Sequence, residues 1–241
     1  RWNKGQEDFI YSEFGDTILP NWPGFLQRWV GADVGSMFKG FVPKLGITET
    51  TIPAIEEWYE RDFLPALDSH FSQHQYLLGG NAASIGDFGL MGPLYAHLYR
   101  DPKSGELMKR IAPNVATWVE RMNTRQPPPT TTEEEVSRTW LPNDQIPDTL
   151  VPILKRLFAE FFPVLIDTVT MLEEWKHANP NKPIPRGIGT HQFQIGGVTG
   201  EQNAQSFQQW KLQRVLDVYK GFHTDEKLRV DEWLCDSVGV V

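Results

Sequence analysis

A three-and-four spacing of apolar residues recurs along most of this chain, and it restricts the fold more than any other feature. Ile52, Ile55, Tyr59, Phe63 and Leu67 form one such stripe, with Glu56, Glu57, Glu60 and Asp68 elsewhere on the turns. Residues at these steps share one face of an α-helix, so each stripe predicts a helix with one buried side. The same reading predicts helices over 5–18, through Phe9, Ile10, Phe14 and Ile18, over 24–34, and over 50–73. Leu154, Leu157, Phe158, Phe161, Leu165, Val169 and Leu172 predict a long helix over 150–176. Two more are expected over 201–222 and 224–238, the last with Thr224 as its cap. A proline inside a helix costs about 3 kcal/mol, so irregularities are expected at Pro65 and Pro163. Only Thr190-His-Gln-Phe-Gln-Ile alternates polar with apolar, which predicts a short strand ending at Gly196-Gly197. The fold class is all-α, with room for one short β-hairpin.

Composition narrows the function classes. Nine Trp and fourteen Phe in 241 residues imply either a well-packed interior or an apolar surface that a partner covers. A formal charge of −8 and a pI near 5.3 oppose a surface that tracks phosphates, so nucleic acid is excluded as the main partner. No apolar run approaches the length of a membrane span. The single cysteine, Cys235, leaves no intramolecular disulfide and points to a reducing compartment, the cytoplasm or the interior of an organelle. Pro127-Pro-Pro, Thr130-Thr-Thr and Glu133-Glu-Glu read as a linker. The expected organisation is a helical domain over 1–123, a linker over 124–149, and a helical extension over 150–241 packed on the first part.

The stretch Tyr76–Met122 carries the most specific signal. Tyr76-Leu-Leu-Gly-Gly breaks the chain, and Ser84-Ile-Gly-Asp87 then has capping-box spacing. The Ser84 hydroxyl can accept from the Asp87 amide while the Asp87 carboxylate reaches back to the Ser84 amide. Ile85, Phe88, Met91, Leu94, Tyr95 and Leu98 continue as a stripe, with Gly86, Gly89 and Gly92 allowing close approach by a neighbouring helix. Pro113 then opens a helix with Val115, Trp118, Val119 and Met122 on its buried side. Glycine pair, box, helix and Pro-x-x-x-x-Trp, in that order, resemble the C-terminal helical domain of glutathione transferases. Arg1-Trp2-Asn3 and the long C-terminal segment are similar to a bacterial-like branch of that family. The resemblance implies a helical bundle with a mostly helical extension, and a thioredoxin-like domain upstream of Arg1. In the family that domain holds glutathione and the residue that activates it, so the resemblance assigns no catalytic residue to this chain. Glutathione would be a cofactor only with that domain present.

Each candidate side chain has a structural reading beside its functional one. Ser84 and Asp87 read as a structural N-cap rather than a nucleophile and its carboxylate. The resemblance makes Trp2, Tyr11 and Phe14 candidates for the wall of a substrate pocket, against core packing, and His191 is kept as a polar group in such a pocket. His70 and His74, one helical turn apart, lack a third ligand and read as a solvated helix end, so no metal is expected. Gly196-Gly-Val-Thr-Gly lacks the lysine of a phosphate loop and reads as a turn. Cys235 reads as an inert core thiol. Two functions remain open: the substrate-binding part of a transferase acting on a hydrophobic electrophile, inactive without its other domain, or a non-catalytic scaffold in a homodimer or larger assembly.

Overall fold

Pro65 and Pro163 each occupy the second position of a helix that follows directly on a π-helical turn. A proline ring crowds the carbonyl four residues back, and a π turn widens the backbone where that crowding falls. The expected irregularities are therefore real, and they leave two long helical runs over 52–73 and 151–178.

The computed structural model describes residues 5–124 and 140–239. In chain order its α-helices are α1 (Glu7–Ile18), α2 (Gly24–Lys39), α3 (Ile52–Glu57), α4 (Leu64–Gln73), α5 (Ile85–Pro93), α6 (Pro102–Ile111) and α7 (Pro113–Asn123), followed by α8 (Val151–Arg156) and α9 (Phe162–Ala178). Strands β1 (Gly187–Ile195) and β2 (Val198–Gln205) come next, then α10 (Ser206–Gly221) and α11 (Thr224–Trp233). Among the described residues, π-helical turns at Trp58–Phe63, Leu94–Tyr99, Leu157–Phe161 and Leu234–Val238 follow or join these helices. The described residues are mostly helical, with one two-stranded antiparallel sheet among them. It divides into two compact units, one of Arg1–Gly40 with Tyr59–Leu150, the other of Phe41–Trp58 with Val151–Val241.

In the first unit, α1 and α2 form a hairpin whose backbones touch. A Cβ on Gly31 would lie 1.9 Å from the Tyr11 carbonyl oxygen, and one on Gly15 would lie 2.2 Å from that of Gln27. Only glycine permits that approach. The core of the α4–α7 group comprises Leu64, Leu67, Phe71, Leu94, Met108, Val115, Trp118 and Val119. Phe71 stacks on Trp118 with ring centroids 4.8 Å apart. Pro113 starts α7 without an amide to satisfy, and Asp68 of α4 accepts from the next two amides, Asn114 at 2.7 Å and Val115 at 3.3 Å.

In the second unit, α9 lies against the hairpin of β1 and β2. Gly196 and Gly197 both have positive φ, 55° and 77°, as a two-residue hairpin turn with matching twist requires. His191 pairs with Gln202, Phe193 with Gly200 and Ile195 with Val198. The Phe193 ring covers Gly200 and Gly46, where an added Cβ would approach to 2.6 and 2.2 Å. Thr51 is buried and donates its hydroxyl hydrogen to the Gly46 carbonyl.

Several sequence expectations shift. The helix expected from Glu201 starts at Ser206, because β2 occupies 198–205 and completes the hairpin. The helix expected over 24–34 runs on to Lys39. The cap of α11 is His223, whose amide donates to Glu226 at 2.7 Å, rather than Thr224. Ile85 and Phe88, expected on a buried stripe, are 93% and 66% exposed. The capping box turns Asp87 inward, and Ile85, about 200° around the helix, turns outward as a result.

Candidate functional site

The most elaborate polar arrangement in the first unit is centred on Asp87, whose side chain is fully buried. Ser84 is the N-cap of α5, in extended conformation, and accepts from the Asp87 amide at 3.3 Å. Asp87 Oδ2 in turn accepts from the Ser84 amide at 2.8 Å and the Ser84 hydroxyl at 2.7 Å. Its other oxygen, Oδ1, accepts from the Leu77 amide at 3.0 Å and from the indole Nε1 of Trp118 at 3.2 Å. A carboxylate offers about four lone-pair positions, and four donors occupy them. Asp87 is thus a structural anion with no capacity left to act as a base, and Ser84 Oγ is committed as donor to it.

Next to this centre lies His70, which is buried rather than at a solvated helix end. Its Nδ1 is 2.8 Å from the Thr149 hydroxyl and its Nε2 is 3.3 Å from the Tyr76 carbonyl. Burial pushes its pKa below the usual histidine value, and the charge of His74 adds to that. The Tyr76 carbonyl and Asp87 work in the opposite direction. The ring of His74 stands 5.0 Å from that of His70. Among the described residues no group of three or more His, Cys, Asp or Glu side chains could hold a metal ion.

Of the pocket-wall candidates, Tyr11 and Phe14 come together in the α1–α2 hairpin. The Tyr11 ring lies against α2 at Gly35, its carbonyl against Gly31, and Phe14 stacks on Phe38 at 5.3 Å with the ring planes 2° apart. Both rings serve helix packing. Trp2 lies outside the described residues. On the same hairpin Trp22, Phe25 and Trp29 face solvent, 55%, 73% and 72% exposed. Helical period and composition marked them as apolar, but only the glycine contacts of α1 decide which face of α2 is covered.

His191 belongs to the second unit. It is buried, with Nδ1 2.9 Å from Asp167 Oδ2 on α9 and Nε2 3.4 Å from the Gln202 amide nitrogen on β2. The ring thus bridges the Asp167 carboxylate on one side and the Gln202 side-chain amide on the other. Glu160, two turns earlier, accepts from the Gly196 amide at 3.2 Å. These two carboxylates pin the hairpin to 157–178, and His191 serves as a clasp. Asp167 carried no sequence signal as its partner, since 24 residues separate them. Cys235 is exposed, contrary to the core position expected for it.

Tyr99 donates its phenol hydrogen to Glu120, which raises its pKa to about 12. No helix among the described residues is long and apolar enough to cross a membrane. No family model matches the chain, and neither a curated protein nor a solved structure matches it.

Proposed function

We propose that this chain is the helical part of a glutathione-transferase-like protein. In this reading it forms one wall of a site for a hydrophobic electrophile, and a thioredoxin-like domain outside the chain holds glutathione. One observation supports the reading above others. The glycine-pair segment, the Ser84–Asp87 box and the Pro-x-x-x-x-Trp helix, read as separate motifs, meet at a single carboxylate: Leu77, Ser84 and Trp118 all donate to Asp87. A sequence that spends a buried anion on joining these segments uses the motif as a folding unit, which is the use the resemblance implies.

The reaction would be attack by the glutathione thiolate on the electrophile, with a carbon–sulfur bond forming as the leaving group departs. This chain's contribution is apolar contact and exclusion of water. Stabilising the thiolate falls to the other domain, and pocket walls alone do not replace a group that acts in the transition state. The test is retention of the full-length protein on immobilised glutathione, together with conjugation of an activated aryl chloride. The 241-residue chain alone should do neither. A full-length protein that carries a thioredoxin-like domain yet neither binds nor conjugates would overturn the transferase reading.

A second reading, a non-catalytic scaffold in a homodimer or larger assembly, draws on a specific observation. The rings Tyr11 and Phe14 are engaged in helix packing, whereas Trp22, Phe25 and Trp29 stand exposed on the same hairpin. Exposed aromatic clusters of this kind are the usual material of protein contacts.

A further inference from the structure

The solvent face of α10 combines apolar side chains with two cations. Phe207, Trp210, Val215 and Val218 are 54%, 49%, 66% and 62% exposed, while Leu212 is the helix's buried residue. At 3.6 residues per turn, Phe207, Trp210, Lys211, Arg214, Val215 and Val218 fall within one stripe about 140° wide. The stripe is also organised internally. Phe207 stacks on Trp210 at 5.2 Å, Lys211 Nζ stands 5.1 Å from the Phe207 centroid, and the Arg214 guanidinium stands 5.6 Å from the Trp210 centroid. A cation held over a ring face is positioned by the ring's quadrupole, and its N–H groups directed away from the ring remain able to bind a carboxylate. The stripe itself contains no carboxylate, and Asp217 lies at its edge.

We propose that this stripe docks an amphipathic helix of a partner protein whose apolar seam is flanked by carboxylates. The spacing of Phe207, Trp210, Val215 and Val218 is that of a seam for a helix lying alongside. Lys211 and Arg214 set the sign of the partner, opposite to that of the stripe and the same as the −8 of the chain as a whole. A single helix meets the cationic stripe within a Debye length of about 8–10 Å, whereas an extended anionic lipid surface or a nucleic acid also meets the rest of a chain of charge −8. A second copy of this chain fits poorly, because a two-fold contact through the stripe sets Lys211 and Arg214 beside their own counterparts. The proposal concerns α10 alone and stands independently of the glutathione-transferase reading.

The experiment uses the 241-residue chain and three defined probes: a synthetic amphipathic helix with Leu along its seam and Glu beside it, the same peptide with Gln for Glu, and phosphatidylcholine–phosphatidylserine vesicles. Fluorescence anisotropy of the labelled peptides should show saturable binding of the Glu peptide, weakened by added salt. The Gln peptide should bind at least about tenfold more weakly. Lys211→Gln/Arg214→Gln should remove the preference for Glu over Gln, and Phe207→Ala/Trp210→Ala should abolish binding of both peptides. All four side chains are exposed, so far-ultraviolet dichroism should show these variants folded. Failure of the Glu peptide to bind overturns the proposal. So does equal binding of the Glu and Gln peptides, or binding of the vesicles in place of the peptides.

Discussion

Asp87 is where residue chemistry weighs most heavily on this fold. Deleting its carboxylate strands the Leu77 and Ser84 amides and the Trp118 indole in a buried site, and each unsatisfied buried donor costs about 1–3 kcal/mol. Asp87→Ala should therefore lose about 3–5 kcal/mol, well above the roughly 1 kcal/mol typical of a lost cap. Asp87→Asn, which keeps one acceptor oxygen, should lose less. Urea unfolding followed by dichroism measures both, and a loss under about 1 kcal/mol for the alanine variant would mean that water replaces the carboxylate. His70 supplies a pH signature. Its folded pKa lies below the ordinary 6.5, so in the window beneath 6.5 the unfolded chain binds a proton that the folded chain does not. Stability is then fully present above 6.5 and falls as pH drops through that window. His70→Gln should flatten this part of the curve of unfolding free energy against pH, whereas an unchanged slope would assign the effect to another group. Sequence spacing revealed the Ser84–Asp87 pair because a cap is local. It could not reveal Trp118 or Thr149, which stand 31 and 79 residues from their partners.

At the scale of elements, the helices were legible wherever one face is buried, and their exposed faces were not. Val115, Trp118 and Val119 fall inside as their spacing implies, yet Ile85 and Phe88 continue an equally good stripe and face out. Period identifies a helix and its apolar side without saying what covers that side. Two glycines separate these cases. A Cβ at Gly31 would collide with backbone at 1.9 Å, while nothing lies within 4 Å of one at Gly89. Gly31→Ala should force α1 and α2 apart and lose about 1–3 kcal/mol or more. Gly89→Ala, in the middle of α5, should gain about 0.5–1 kcal/mol through helix propensity alone. Thermal melts of the two variants should move in opposite directions, and a stabilised Gly31→Ala would contradict the backbone contact. The hairpin was half legible. Thr190 to Ile195 alternates as a strand should, but β2, Val198-Thr-Gly-Glu-Gln-Asn-Ala-Gln, lacks apolar alternation because Gly200 and Gln202 face inward to make room for Phe193 and His191.

For the whole molecule, a linear reading places one boundary in the proline- and threonine-rich stretch, whereas the two units interleave along the chain. Residues 41–58 belong with 151–241, and contacts such as Gly46 with Phe193 have no trace in local composition. Along the chain, the switch from one unit to the other falls at the π turn beginning with Trp58. Each unit buries its own apolar set, Leu64, Leu67, Phe71 and Trp118 in one, Val164, Leu165, Leu172 and Ala204 in the other. Separate cores open as separate cooperative units. Leu172→Ala removes a nearly fully buried side chain and should cost the second unit about 2–5 kcal/mol. Native-state hydrogen exchange should then quicken across α9, β1 and β2, while amides of α4 and α7 keep their protection. Equal loss of protection in α4 and α7 would contradict the separate opening of the second unit.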